Sequence, residues 1–165
     1  MTPWTKRSIE ERNLLNPGFC SMLLWRAAQG YASERSIPMA IEMTFLVLPF
    51  VLHKETRESL PTNIRTSLPT WLSAHPLVRM RLGERAATLR EFTRESLIFG
   101  GSHGLFSLAQ GGVRANDTMR KRVKATLNAT SDEVRGCAKR AEFLGRWFEK
   151  AGAPETVMTL LGVRP

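Results

Sequence analysis

At 165 residues, 42% apolar and 24% charged, the chain is long enough for one domain with a real core, and its composition excludes a low-complexity or disordered polymer. Lys and Arg number 24 against 15 Asp and Glu, a formal charge of +9 that suits a polyanion or an acidic partner without establishing either. The longest apolar run, residues 37–52, is shorter than the roughly 20 residues a membrane span needs and contains Glu42 and Pro49, so no membrane partner is expected.

Residues 1–16 form a polar lead-in with one aromatic, Trp4, and room for a helical turn over 8–13. The opening residues lack the apolar stretch of a signal peptide, which points to the cytoplasm. Asn16-Pro17 is a helix start, with Asn as N-cap and Pro in the first turn. Phe19, Cys20, Leu23, Leu24, Ala27, Ala28 and Tyr31 recur at three- and four-residue steps and predict an amphipathic helix to about Ser33. Gly30 weakens its last turn, and Trp25 lies off the stripe, at the core edge or towards a partner.

A second helix is expected over 38–52, started by Pro38 and kinked or ended by Pro49. It is apolar nearly all round, as a helix surrounded by others is. Residues 53–67 read as a polar surface loop tacked to the core by Leu60, Ile64 and Leu68, with His53 capping the helix end. A short helix over 69–74 buries Trp71 and Leu72, and a long one follows over 77–100. Its stripe is Val78, Leu82, Ala86, Leu89, Phe92 and Phe99, with Leu97 beside it. Arg79, Arg81, Arg85, Arg90 and Arg94 alternate with Glu84, Glu91 and Glu95 on the rest, a solvated face with local ion pairs.

Gly100-Gly101-Ser102-His103-Gly104 fits neither phosphate-binding fingerprint and reads as a helix end and turn. Short runs on either side of Ala109-Gln110-Gly111-Gly112 predict a β-hairpin, and a long helix followed by a small hairpin is how a winged-helix unit ends. Beside this wing lie Arg114, Arg120, Lys121, Arg122 and Lys124, with Asp117 as the local acid. They are candidate nucleic-acid contacts to backbone phosphates, or else an exposed basic linker. Thr130 to Glu133 reads as a capping box with Thr130 as N-cap. The helix it starts carries Val134, Cys137, Ala138, Ala141, Leu144, Phe148 and Ala151, flanked by Phe143 and Trp147, and stops at Gly152. A last short helix from Pro154 carries Val157, Leu160 and Leu161 and ends at Gly162.

No Ser, Cys or Thr comes with a persuasive His and acid, and no closely spaced Cys/His pairs suggest a metal. Cys20 and Cys137 read as buried thiols. The expectation is a protein without catalytic residues, cofactor or metal. The expected fold is mainly α: a compact helical domain with a small β-hairpin, winged-helix-like, single over 1–165. Its parts are a helical core at 17–100, the hairpin at 104–115 and C-terminal helices at 131–162.

Three stretches carry a family resemblance: Asn16-Pro17-x-Phe19-Cys20-x-x-Leu23-Leu24-x-Arg26, Leu46-Val47-Leu48-Pro49-x-Val51-Leu52-His53-Lys54-x-Thr56-Arg57-x-Ser59-Leu60-Pro61, and Thr66-Ser67-Leu68-x-x-Trp71-Leu72. They resemble the small middle component of three-component ABC ATPase systems, and the arrangement is similar to Lamassu-type anti-phage defence. The likeness continues through Gly100-x-x-His103-Gly104-Leu105-x-Ser107-Leu108 and fades after about Thr118. The resemblance implies an accessory subunit without its own catalysis, seated on a Rad50/SMC-like ABC ATPase dimer. Its other partners would be an effector, expected to be a nuclease, and DNA reached through the complex. It makes His53, Lys54, Thr56, Arg57 and Ser59, with the nearby Arg65, candidates for partner binding; their alternative role is to cap the central helix and fix the loop. A free-standing winged-helix DNA-binding regulator would explain the charge and the hairpin equally well, whereas a small hydrolase with a dispersed site would lack its motifs.

Overall fold

The computed structural model describes residues 6–163, so Trp4 lies outside the described residues. Helix α1 (Ile9–Leu14) starts at a reciprocal capping box: Ser8 Oγ accepts from the Glu11 N–H, and Glu11 Oε2 accepts from the Ser8 N–H, both at 3.1 Å. Helix α2 (Pro17–Arg35) starts as the Asn-Pro pair dictates, with Asn16 Oδ1 accepting from the Gly18 and Phe19 N–H groups. It runs beyond Ser33 and ends at Ser36, which is left-handed (φ 55°).

Helix α2 continues through Gly30 to Arg35, and the glycine admits another helix. Helix α8 (Asp132–Ala151) crosses α2 so closely that a Cβ on Gly30 would stand 2.2 Å from the Glu142 carbonyl oxygen, and one on Gly145 1.9 Å from that of Ala27. Two glycines facing each other's backbones let the helices pack without intervening side chains. Trp25 is a core residue, 1% exposed, and its indole N–H donates to the Asn116 carbonyl at 3.1 Å.

The central segment differs from the predicted helix at its start. Met39–Ala40 form a short strand, β1, and helix α3 (Ile41–Val51) follows. Pro38 therefore leads into a strand, where its fixed φ is equally at home. Pro49 lies inside α3, which continues to Val51 although the proline offers no N–H to the helix. Helix α3 is buried on almost every side, as its apolar pattern requires.

The expected polar loop is in part a helix, α4 (Lys54–Ser59). Helices α5 (Leu68–Ala74) and α6 (Pro76–Ser102) follow, then strands β2 (Phe106–Ala109) and β3 (Gly112–Ala115). The hairpin turns through Gln110 (φ 50°) and Gly111 (φ 74°), both left-handed, the geometry that matches the twist of its strands. Strand β1 adds to the hairpin on the β3 side, giving the antiparallel order β1-β3-β2 with Met39 opposite Val113. The basic stretch after the hairpin is not a linker. A 3-10 turn (Asp117–Met119) leads into helix α7 (Arg120–Asn128), which buries Val123 and Leu127. Ser131, one residue later than expected, caps α8. Helix α9 (Pro154–Leu161) closes the described chain.

The fold is thus mainly α with one small antiparallel sheet. Its core is built on α2, α3 and α8, with an aromatic cluster of Phe50, Trp71, Trp147 and Phe148 at ring separations of 5.5–6.5 Å. Two indoles in it hold the neighbouring loop. Trp71 donates to the Ser59 carbonyl at 2.8 Å and Trp147 to that of Thr66 at 2.7 Å. No helix among the described residues is long and apolar enough to cross a membrane.

Candidate functional site

The partner-binding candidates divide by direction. His53 is the N-cap of α4: its Nδ1 accepts from the Thr56 N–H at 3.3 Å and lies 2.9 Å from the Thr56 hydroxyl. Thr56 is 1% exposed, and its hydroxyl oxygen accepts from Arg85 Nη1 at 2.9 Å. Arg57 is 6% exposed; Nη1 donates to the Val51 carbonyl at 2.7 Å, and Nη2 pairs with the Glu133 carboxylate of α8. The Ser59 hydroxyl donates back to the Thr56 carbonyl at 2.9 Å. These side chains tie α4 to α3, α6 and α8. Lys54 instead stands in solvent, loosely paired with Glu58 at 3.9 Å. Arg65 is exposed on the following loop, where its backbone N–H donates to Asn63 Oδ1 at 2.9 Å.

The electrostatics around His53 are positive. Burial and then the Arg85 guanidinium push its imidazole below the ordinary value, with smaller effects of the same sign from Arg81 and Arg57 and an opposing one from Glu55. Arg85 is lowered too, first by burial and then by Arg81. It donates to Thr56 and, at 3.2 Å, to the Pro49 carbonyl. Beside α4 a cleft of about 580 Å³ opens towards α8, lined by Arg57, Glu58, Gly136, Lys139 and Arg140. The exposed charges of α4 are therefore carried on a helix that cannot reorient freely, and those across the cleft, Lys139 and Arg140, on α8.

The nucleic-acid candidates do not form one strip. Arg114 on β3 donates to the Ser36 carbonyl at 3.2 Å. Arg120 pairs with Asp117 at 2.8 Å, a contact that holds the Asp117 carboxyl below the ordinary carboxylate value. Lys121 is exposed. Arg122 faces a recess shared with Met22, Phe99 and His103. Arg120 and Lys124, one helical turn apart, face the other way, into a cleft between α2 and α8 where Arg26, Arg135, Lys139 and Glu142 also converge. Sequence reasoning missed these α2 and α8 residues. Arg135 and Lys139 are four apart and off the apolar stripe of α8, and that spacing was the available signal.

Both thiols are buried, as read: burial pushes Cys20 up to about 12 and raises Cys137. No group of three or more His, Cys, Asp or Glu among the described residues is placed to hold a metal ion.

The family model of the ABC-three component (ABC-3C) system Middle Component 3 matches residues 4–165. No curated protein matches the chain, and no solved structure does. The match spans the α4 segment, the hairpin and the basic helix together, and agrees with the middle-component resemblance carried by the central block. The chain belongs to the ABC-three component system Middle Component 3 family.

Proposed function

We propose that the chain is a non-catalytic accessory subunit of a cytoplasmic anti-phage defence complex of the Lamassu kind. It bridges an SMC-like ABC ATPase and an effector nuclease and helps sense foreign DNA. Membership of a middle-component family implies work alongside the other components of an ABC system.

The observation that carries the bridging role is the construction of α4. A six-residue helix is marginal by itself. Here two buried polar side chains, Thr56 and Arg57, fasten it to three neighbouring helices. Burying a guanidinium carries a desolvation cost, and the result is a fixed platform from which Lys54, Glu55 and Glu58 project. Binding residues on rigid scaffolds lose little entropy on docking. In this reading Lys54 and Arg65 touch the partner, while His53, Thr56 and Arg57 hold the platform. Arg114, Arg120, Lys121, Arg122 and Lys124 supply the basic flank for DNA.

The test is co-expression with the proteins encoded beside it, followed by size exclusion. Co-elution with a large coiled-coil ATPase, lost on Lys54→Glu, supports the reading. A second reading, a free-standing winged-helix regulator, is favoured by one observation: a strand between the first two long helices pairs with the hairpin that follows the longest helix. Under that reading the chain elutes alone and binds one duplex sequence far better than others.

A further inference from the structure

The cleft between α2, α7 and α8 has a volume of about 450 Å³, and its wall carries Arg26, Arg120, Lys124, Arg135 and Lys139 against the carboxylate of Glu142. The three arginines are held in place. Arg26 pairs with Glu142, and its buried Nε has no hydrogen-bond partner. Arg120 is clamped by Asp117, and Gln29, with its amide oxygen turned towards it, accepts from its Nη2 at 3.0 Å. Arg135 pairs with Asp132 and donates to the Thr130 carbonyl. The two lysines, one on α7 and one on α8, take part in no ion pair found among the described residues. Five cations therefore converge with three carboxylates around them, and the excess sits on the flexible, unpaired lysines.

This arrangement suits a phosphate ligand. Oriented guanidiniums keep spare N–H donors for oxyanions, and converging positive walls concentrate anions between them. No aromatic side chain lines the cleft among the described residues, so bases find no stacking platform there. We propose that this cleft grips backbone phosphates of nucleic acid, with Lys124 and Lys139 as the principal charges and Arg26, Arg120 and Arg135 as oriented donors. The inference rests on the nucleic-acid part of the function above. It places the principal contact in the cleft, which Arg120 and Lys124 share with the basic flank, while Arg114 and Arg122 face elsewhere and lie outside it.

The experiment is fluorescence anisotropy with a labelled DNA duplex, read across a salt series, on the full chain and on its complex with the ATPase. The double variant Lys124→Ala/Lys139→Ala removes exposed, unpaired charges and should fold as the parent does, which circular dichroism checks. It should weaken binding at least about tenfold near 50 mM salt and reduce the salt slope by about 2. The control Arg79→Ala/Arg94→Ala, with the same charge loss on exposed positions of α6, should stay within about twofold of the parent. The inference is overturned if the parent binds DNA and the cleft variant matches it, or if the control loses as much; the nucleic-acid reading then survives without this cleft. If neither the chain nor its complex adds any DNA affinity to the ATPase, that reading falls and the inference with it. Binding of inorganic pyrophosphate or ATP to the parent, with no DNA affinity, would also overturn it by placing a free nucleotide in the cleft.

Discussion

Replacing Arg57 with Ala should destabilise the chain before it affects any partner. The guanidinium sits at the junction of α3, α4 and α8, 6% exposed, and donates to the carbonyl of Val51, a residue with no exposed surface. A hydrogen bond from a charged donor contributes about 1.5–3 kcal/mol, and its removal leaves this buried acceptor with only the weak donor Cys137 Sγ at 3.8 Å. The Glu133 side chain is 62% exposed, so the ion pair adds at most about 1 kcal/mol. The expected loss is about 2–4 kcal/mol, or a fall in Tm of roughly 5–15 °C for a chain of this size. Urea denaturation followed by circular dichroism and Trp fluorescence measures it. Glu133→Gln should cost under about 1 kcal/mol, and Lys54→Ala should stay within about 0.5 kcal/mol. An Arg57→Ala loss below about 1 kcal/mol would refute the reasoning, because Arg57 would then not be holding α4.

On α8 two glycine substitutions should differ in sign. Gly145→Ala puts a Cβ 1.9 Å from the Ala27 carbonyl oxygen and should cost about 3 kcal/mol, whereas Gly136→Ala meets nothing within 4 Å and should stabilise by about 1 kcal/mol through helix propensity; thermal melts of both decide. His53 is held below the ordinary histidine value of 6.5, chiefly by burial and then by Arg85. Below that pH the unfolded chain takes up a proton that the folded imidazole resists, so this contribution to stability is present at neutral pH and lost as the pH falls. Denaturation midpoints between about pH 7 and pH 5 should therefore change less in His53→Gln than in the parent, and an unchanged slope would contradict the assignment. Burial, with Cys20 pushed up to about 12, should leave both Cys20 and Cys137 unreactive towards a thiol-specific reagent in the native chain and fully reactive in denaturant; rapid native labelling would contradict the packing of α2 and α8.

What was legible in the sequence was local. Asn16-Pro17 starts α2 because a cap needs only its own next turn, and Gln110-Gly111 forms the hairpin because two left-handed residues suffice. Polarity misled where burial is supplied from far away. Thr56 and Arg57 belong to a segment that reads as a surface loop, and their partners Arg85 and Glu133 lie on other helices. Pro38 misled because a first helical turn and the lead into a strand accept the same φ; only pairing with Val113, distant in sequence, chooses the strand. Gly30 looked like a flaw in α2 because the helix that needs it begins a hundred residues later. The basic cleft escaped for the same reason, since three helices bring its cations together. The candidate set placed only Arg120 and Lys124 there.

The central claim is that this subunit joins two others. The most direct measurement is a pull-down of the tagged effector from cells that express the ATPase with and without this chain, the recovered ATPase being quantified by immunoblot. The account predicts ATPase recovery only when the chain is present, and its loss when Lys54→Glu replaces the parent. Equal recovery without the chain would contradict a bridging role, whatever else the subunit does.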